Sequence, residues 1–187
     1  MWPSQNKNRM IFTDGKINML KNKLVIVLPL LLAGCTMSNS QLKRAYANHY
    51  YQDPAYVAAY KQKTETMSVN QLADYGAEFD KQKMRGQKRM QLDKFIYIEN
   101  IHSEDNKVIY NYSLTDAWNA LSASDRLEKQ TNMQKDLTYR TCSLKTVQLA
   151  QKKGLEEVHN YYTAYPDKIA FTLRSNLQMC RQAGFTD

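Results

Sequence analysis

Three cysteines (Cys35, Cys142 and Cys180) and three histidines (His49, His102 and His159) carry most of the reactive potential of this 187-residue chain. A thiol beside an imidazole can act as a nucleophile. Cys142 with His159 is the pair that could be composed. A Ser-His-Asp arrangement would want a Gly-x-Ser-x-Gly elbow, and the sequence has none. Glu156 and Glu157 are adjacent in an expected strand, so their carboxylates point to opposite faces and do not form an acid/base pair. No glycine-rich phosphate loop and no metal-ligand cluster is present. His102 falls in an expected hairpin tip, where it reads as a solvated turn residue. The residues therefore predict no catalytic site, no metal and no cofactor, and the chain reads as not an enzyme. An envelope hydrolase using His159 stays open as a third possibility.

The cysteines find a different chemistry in the N-terminal segment. Lys21 and Lys23 precede the apolar run Leu24–Leu32, and Ala33-Gly34-Cys35 closes it. A basic stretch, about 7–15 apolar residues and small residues at the end make a secretory signal. The run is too short to span a bilayer, which takes about 20 residues. Leu32-Ala33-Gly34-Cys35 resembles the bacterial lipobox, which implies a lipoprotein with Cys35 cleaved, thioether-lipidated and N-acylated. The competing reading is a buried strand or helix that happens to end at a cysteine. Met19 serves as an alternative start, and residues 1–18 are expected to belong to no folded structure. Thr36, rather than Asp, follows the acylated residue; by the sorting rule of enterobacterial lipoproteins this resemblance favours the outer membrane, on its periplasmic face.

An oxidising compartment changes the meaning of Cys142 and Cys180. An even pair in a secreted domain reads as a disulfide, with two free buried thiols as the alternative. Net charge also changes. The whole chain is +8, but residues 1–34 hold five basic residues against one acidic, which leaves 21 basic and 17 acidic residues after them. A net of +4 with no dominant basic cluster argues against nucleic acid.

The elements that must position these residues follow from local pattern. Residues 36–40 read as a polar tether. Gln41–Gln62 is polar and tyrosine-rich, with a helix to about Tyr51, a break at Asp53-Pro54 and a second helical piece. Tyr46, Tyr50, Tyr56 and Tyr60 are candidate partner-binding residues, since tyrosine offers contact area with a polar tip; ordinary packing explains them equally well. Ser68 opens a helix in capping-box form, with Val69, Leu72, Ala73, Gly76 and Phe79 on one face. Phe95–Ile101 and Val108–Leu114 form a hairpin, with Val108, Tyr110, Tyr112 and Leu114 facing the core. A loop holding Trp118 leads to a helix capped at Ser124, with Leu127, Met133 and Leu137 turned inward. A short helix stops at Gly154. A second hairpin, Leu155–Tyr162 with Lys168–Arg174, closes the chain; Ile169, Phe171 and Leu173 share a face, and residues 175–180 continue the strand to Cys180. The expected fold class is α+β: a four-stranded antiparallel sheet from two hairpins, helices packed on one face, and one disulfide. The organisation is a signal peptide over 1–34, a lipidated tether and helical arm over 35–65, and a periplasmic domain over 66–187.

This order of elements is similar to the small pilotin lipoproteins of type II secretion, of the AspS/GspS-beta kind. Phe95–Leu114, Cys142 with its flanking helices, Leu155–Arg174 and Cys180 carry the similarity. It implies a domain that grips a short amphipathic helix of a secretin and escorts it to the outer membrane. The expected partners are thus the membrane, through the lipid anchor, and a protein. The alternative function is an immunity or inhibitor lipoprotein that neutralises a toxin or lytic enzyme.

Overall fold

A computed structural model describes residues 38–185. The lipobox and Cys35 lie outside the described residues. Three N-terminal helices come first: α1 (Asn39–His49), α2 (Pro54–Thr64) and α3 (Val69–Lys81). Each starts where its sequence supplies an acceptor for free backbone donors. Ser38 and Ser68 make reciprocal capping boxes with Gln41 and Gln71, and Asp53 caps α2 with Pro54 in its first turn. The strand β1 (Met90–Gln91) and the hairpin β2 (Ile96–Glu104) and β3 (Lys107–Leu114) follow. Then come α4 (Asp116–Asn119), α5 (Ala123–Ser143) and α6 (Lys145–Lys152), the hairpin β4 (Glu156–Ala164) and β5 (Lys168–Ser175), and α7 (Leu177–Gln182).

The sheet has five strands in the order β1-β2-β3-β4-β5, and its central pair β3–β4 is parallel. This corrects the expected four-stranded antiparallel sheet. Each hairpin is antiparallel within itself. The chain between them, however, runs through α4, α5 and α6, and a helical crossover of that length returns the next strand in the same direction. The fifth strand is short: Met90 and Gln91 pair with Ile98 and Tyr97.

The helices do cover one face. Leu72, Ala73 and Ala77 of α3, Leu137 of α5 and Ala150 of α6 join one core cluster with Val108, Tyr110, Tyr112 and Leu114. A bulge in β2 between Ile98 and Asn100 lets both Ile98 and Ile101 reach that core although they are three residues apart. A second register shift after Tyr161 leaves Phe171 and Leu173 inside and Ile169 half exposed, so the expected three-residue stripe is broken. Leu127, expected inside, is 65% exposed. Trp118 sits in the short helix α4 rather than a loop and is buried. Ser122, not Ser124, caps α5.

The last segment is helical rather than extended. Asn176 accepts from the Met179 amide and starts α7. The Cys142–Cys180 disulfide therefore ties the end of α5 to a terminal helix, not to a strand. The N-terminal helices are clamped from both ends. Gln52 accepts from the Thr146 amide and donates to its hydroxyl, serving as the cap that α6 lacks in its own sequence. Lys153 Nζ donates to the carbonyls of Thr64, Glu65 and Met67 at the end of α2, where the helix leaves carbonyls unpaired.

Candidate functional site

Between the end of α3 and the middle of α5 the covered face of the sheet stays open. Two adjoining cavities of about 380 Å³ each meet there and share Leu92, Tyr112, Arg140 and His159. Met84, Met90, Ile98 and Leu137 give the cleft apolar walls. Its floor is built by alternation. On β4, Glu157, His159 and Tyr161 share a face, and the parallel register sets them beside Val108, Tyr110 and Tyr112 of β3. Tyr110 stacks on His159 at 4.4 Å, Tyr112 on Tyr161 at 4.7 Å, and Tyr161 on Phe171 at 4.5 Å. Trp118 closes the row against Phe171.

A chain of buried polar groups runs along this floor. Tyr112 Oη lies 2.9 Å from His159 Nδ1, and His159 Nε2 lies 3.5 Å from a Glu157 carboxylate oxygen. Tyr110 donates its hydroxyl to Asp80, which also pairs with Lys83. Burial lowers the His159 pKa, against the pull of Glu157, so the ring is neutral. Burial raises the Glu157 carboxyl, but the adjacent His159 ring and the nearby Arg140 charge outweigh it and hold its pKa below the usual value. Arg140 keeps its charge in the same way: burial disfavours it, but Glu157, Tyr112, Asp136 and Tyr110 together outweigh burial and raise its pKa. Burial raises both Tyr110 and Tyr112 well above the ordinary phenol range, so both remain hydrogen-bond donors and neither becomes a nucleophile. The thiol that could have served His159 is taken by the disulfide. Among the described residues no group of three or more His, Cys, Asp or Glu side chains could hold a metal. The chemistry on offer is recognition: apolar walls around a fixed set of donors and charges.

No protein-family profile matches the chain, and no curated protein matches it in sequence. Solved structures are similar at low identity. A Pseudomonas aeruginosa protein described as secreted is 12% identical, over 60% of this chain and 96% of its own, with a TM-score of 0.45. The pilotin EpsS of the Vibrio vulnificus type 2 secretion system is 12% identical, over 60% and 91%, with a TM-score of 0.44. The Vibrio cholerae AspS chain is 13% identical, over 66% and 97%, with a TM-score of 0.40. Two of these three are type II secretion pilotins.

The residues singled out in the sequence are dispersed around the cleft. Tyr50 is buried and borders it. Tyr46 is half-buried, donates to Asp136 and meets Tyr139 edge-on at 5.6 Å. Tyr60 is buried near Tyr75, 6.4 Å between rings, and Tyr56 faces solvent. The structure brings Tyr46 and Tyr50 together, at 5.9 Å, and separates them from Tyr56 and Tyr60 by the break at Asp53. Of the histidines only His159 joins the cleft. Arg140, Glu157, Asp80 and Tyr110 were not anticipated there. Two signals could have found them. Arg140 follows Met133 and Leu137 on the apolar side of a helix, and Glu157 and His159 alternate with Tyr161 on one strand face.

Proposed function

We propose that this protein is a lipid-anchored periplasmic protein of the outer membrane that binds a protein partner and escorts or assembles a component of a secretion apparatus. The observation that carries the binding role is the cleft between α3 and α5. An amphipathic helix fits it chemically: its apolar face meets Met84, Met90, Ile98 and Leu137, and a polar side chain reaches the Arg140–Glu157–His159 floor. Of the candidate tyrosines, Tyr50 borders the cleft and is the one such a partner would meet. The membrane address rests on Leu32-Ala33-Gly34-Cys35, and a secretin as partner rests on the order of hairpins, helices and cysteines in the sequence.

Leu92 is 47% exposed and belongs to both halves of the cleft. A photo-crosslinking residue at that position, in the native envelope, is expected to give one dominant protein adduct that disappears in cells lacking the secretin. Deleting the protein should leave the secretin out of the outer membrane. A secretin that reaches its membrane without this protein, with the Leu92 adduct unchanged when the secretin is removed, would overturn the escort role.

A further inference from the structure

The helices α1, α2 and α6 form a second surface, on which the cleft does not open. They hold Lys43, Arg44, Lys61, Lys63, Lys145 and Lys152 and not one Asp or Glu. Removing these six from the 21 basic and 17 acidic residues after position 34 leaves the rest of the chain net negative. Three of the six, Lys61, Lys145 and Lys152, line one groove. Asp53, just before α2, is committed to the Ala55 and Tyr56 amides, and Glu65 stands just past the last turn of α2. Lys43 and Lys63 lie over Phe185 and Tyr75, while Arg44, Lys61 and Lys145 are exposed. Between the last two runs a shallow groove of about 730 Å³ with Val57, Ala58 and Leu149 in its wall. Tyr51 stands beside it, 65% exposed, directly after the buried Tyr50.

Chain length bounds how far this surface can stand from an anchor at Cys35. Cys35 is three residues before Ser38, and three residues reach no more than about 11 Å. An acyl anchor at Cys35 therefore holds the start of α1 within about 11 Å of the lipid headgroups. The α1 helix rises about 16 Å from there to the groove. Basic side chains near an anionic leaflet are attracted to it, and a tyrosine with an apolar body and a polar tip suits the headgroup level. We infer that the α1–α2–α6 surface, with Tyr51 and the lysines beside it, lies against the anionic phospholipid leaflet that holds the anchor. The anchor itself belongs to the function proposed above, and this inference rests on it. What is added is an orientation: the folded domain lies down on one defined face and does not swing freely on its tether.

The test uses the full protein purified with its native N-terminus and reconstituted into vesicles of phosphatidylethanolamine containing phosphatidylglycerol, with phosphatidylcholine vesicles as the uncharged control. A photo-crosslinking residue replaces Tyr51, or replaces Ile169, which is 50% exposed on the uncovered side of the sheet. The Tyr51 position should give lipid adducts in the anionic vesicles roughly tenfold above the Ile169 position, and Lys61→Gln with Lys145→Gln should lower that yield by a similar factor. Equal yields at the two positions, or no dependence on anionic lipid, in a sample whose N-terminal mass shows acylated Cys35 would overturn the orientation and leave the anchor standing. An unacylated N-terminus would overturn both. A Tyr51 adduct to an acidic protein in the native envelope, in place of lipid, would assign the surface to that protein and refute the inference.

Discussion

Tyr161 and Tyr162 are neighbours in β4, equally buried at 6% and 8% exposure, and they face opposite sides of one sheet. Tyr161 lies under the helices, stacked between Tyr112 and Phe171. Tyr162 lies on the side where none of the described helices packs, where its hydroxyl meets Asn111, and Asn111 also accepts from Asn160. The same strands thus exclude water by two means. The covered side uses aromatic area and helices, and its polar groups are tied to one another along the floor of the cleft. The uncovered side shields itself with its own long side chains: Arg89 lies over the Tyr97 ring, pairs with Glu99 and donates to Ser113. Equal burial therefore does not mean equal energetic weight. A lost contact on the covered side leaves a void or an unpaired polar group, whereas a lost contact on the other side can be replaced by water.

The largest effect should come from the stacked row. Tyr161→Ala removes an aromatic ring from a packed interior and is expected to destabilise the fold by about 3–5 kcal/mol. Urea unfolding with the disulfide intact measures it, read at constant slope so that midpoint shifts report stability. A loss below about 1 kcal/mol would mean that the helices and not the stacking hold this side.

The polar floor of the covered side sets the pH response. His159 has a folded pKa below its ordinary value of 6.5, and Glu157 one below its ordinary 4.5. The unfolded chain therefore takes up protons before the folded one does. The share of stability these two groups contribute is full above about pH 6.5, begins to fall as His159 would protonate in the unfolded state, and falls further below pH 4.5 as Glu157 adds its share. Each group contributes at most about 1.4 kcal/mol per pH unit. His159→Gln should remove the upper part of this fall, between pH 6.5 and 4.5, and leave the lower part. An unchanged profile in that variant would show that another group governs the acid response.

Much of this comparison was legible in the sequence, and the part that was not is non-local. Ser68-Val69-Asn70-Gln71 announces α3 because a capping box is complete within four residues. Val108, Tyr110, Tyr112 and Leu114 announce the covered face because strand alternation is local too. The parallel pairing of β3 with β4 could not be seen, since it depends on where the crossover returns the chain. Without that register the face of His159 is unassigned and the cleft has no floor. The bulges at Ile98 and Tyr161 shift side chains by one position and broke the pattern expected for Ile169. Residues 175–180 looked extended because their hydrophobicity continues β5. The deciding feature was Asn176, whose side chain caps a short helix more favourably than it extends a strand.

The smallest effect should lie on the uncovered side, and it is the sharpest check on the difference between the two faces. Asn111 is 6% exposed, as buried as Tyr161, and sits at the centre of β3. By burial alone its replacement should be as harmful. Its amide oxygen, however, receives Tyr162 and Asn160 at 3.3 Å each, and Asn160 is only half-buried. In Asn111→Ala both donors can turn to water, so the expected cost is about 1 kcal/mol, several times less than for Tyr161→Ala. Tyr162→Phe should cost less again, and the two together should cost less than their sum because they remove one shared bond. Strict additivity would mean that the Tyr162–Asn111 bond contributes nothing. A cost for Asn111→Ala as large as that of Tyr161→Ala would mean that the uncovered side is as closed to water as the one beneath the helices.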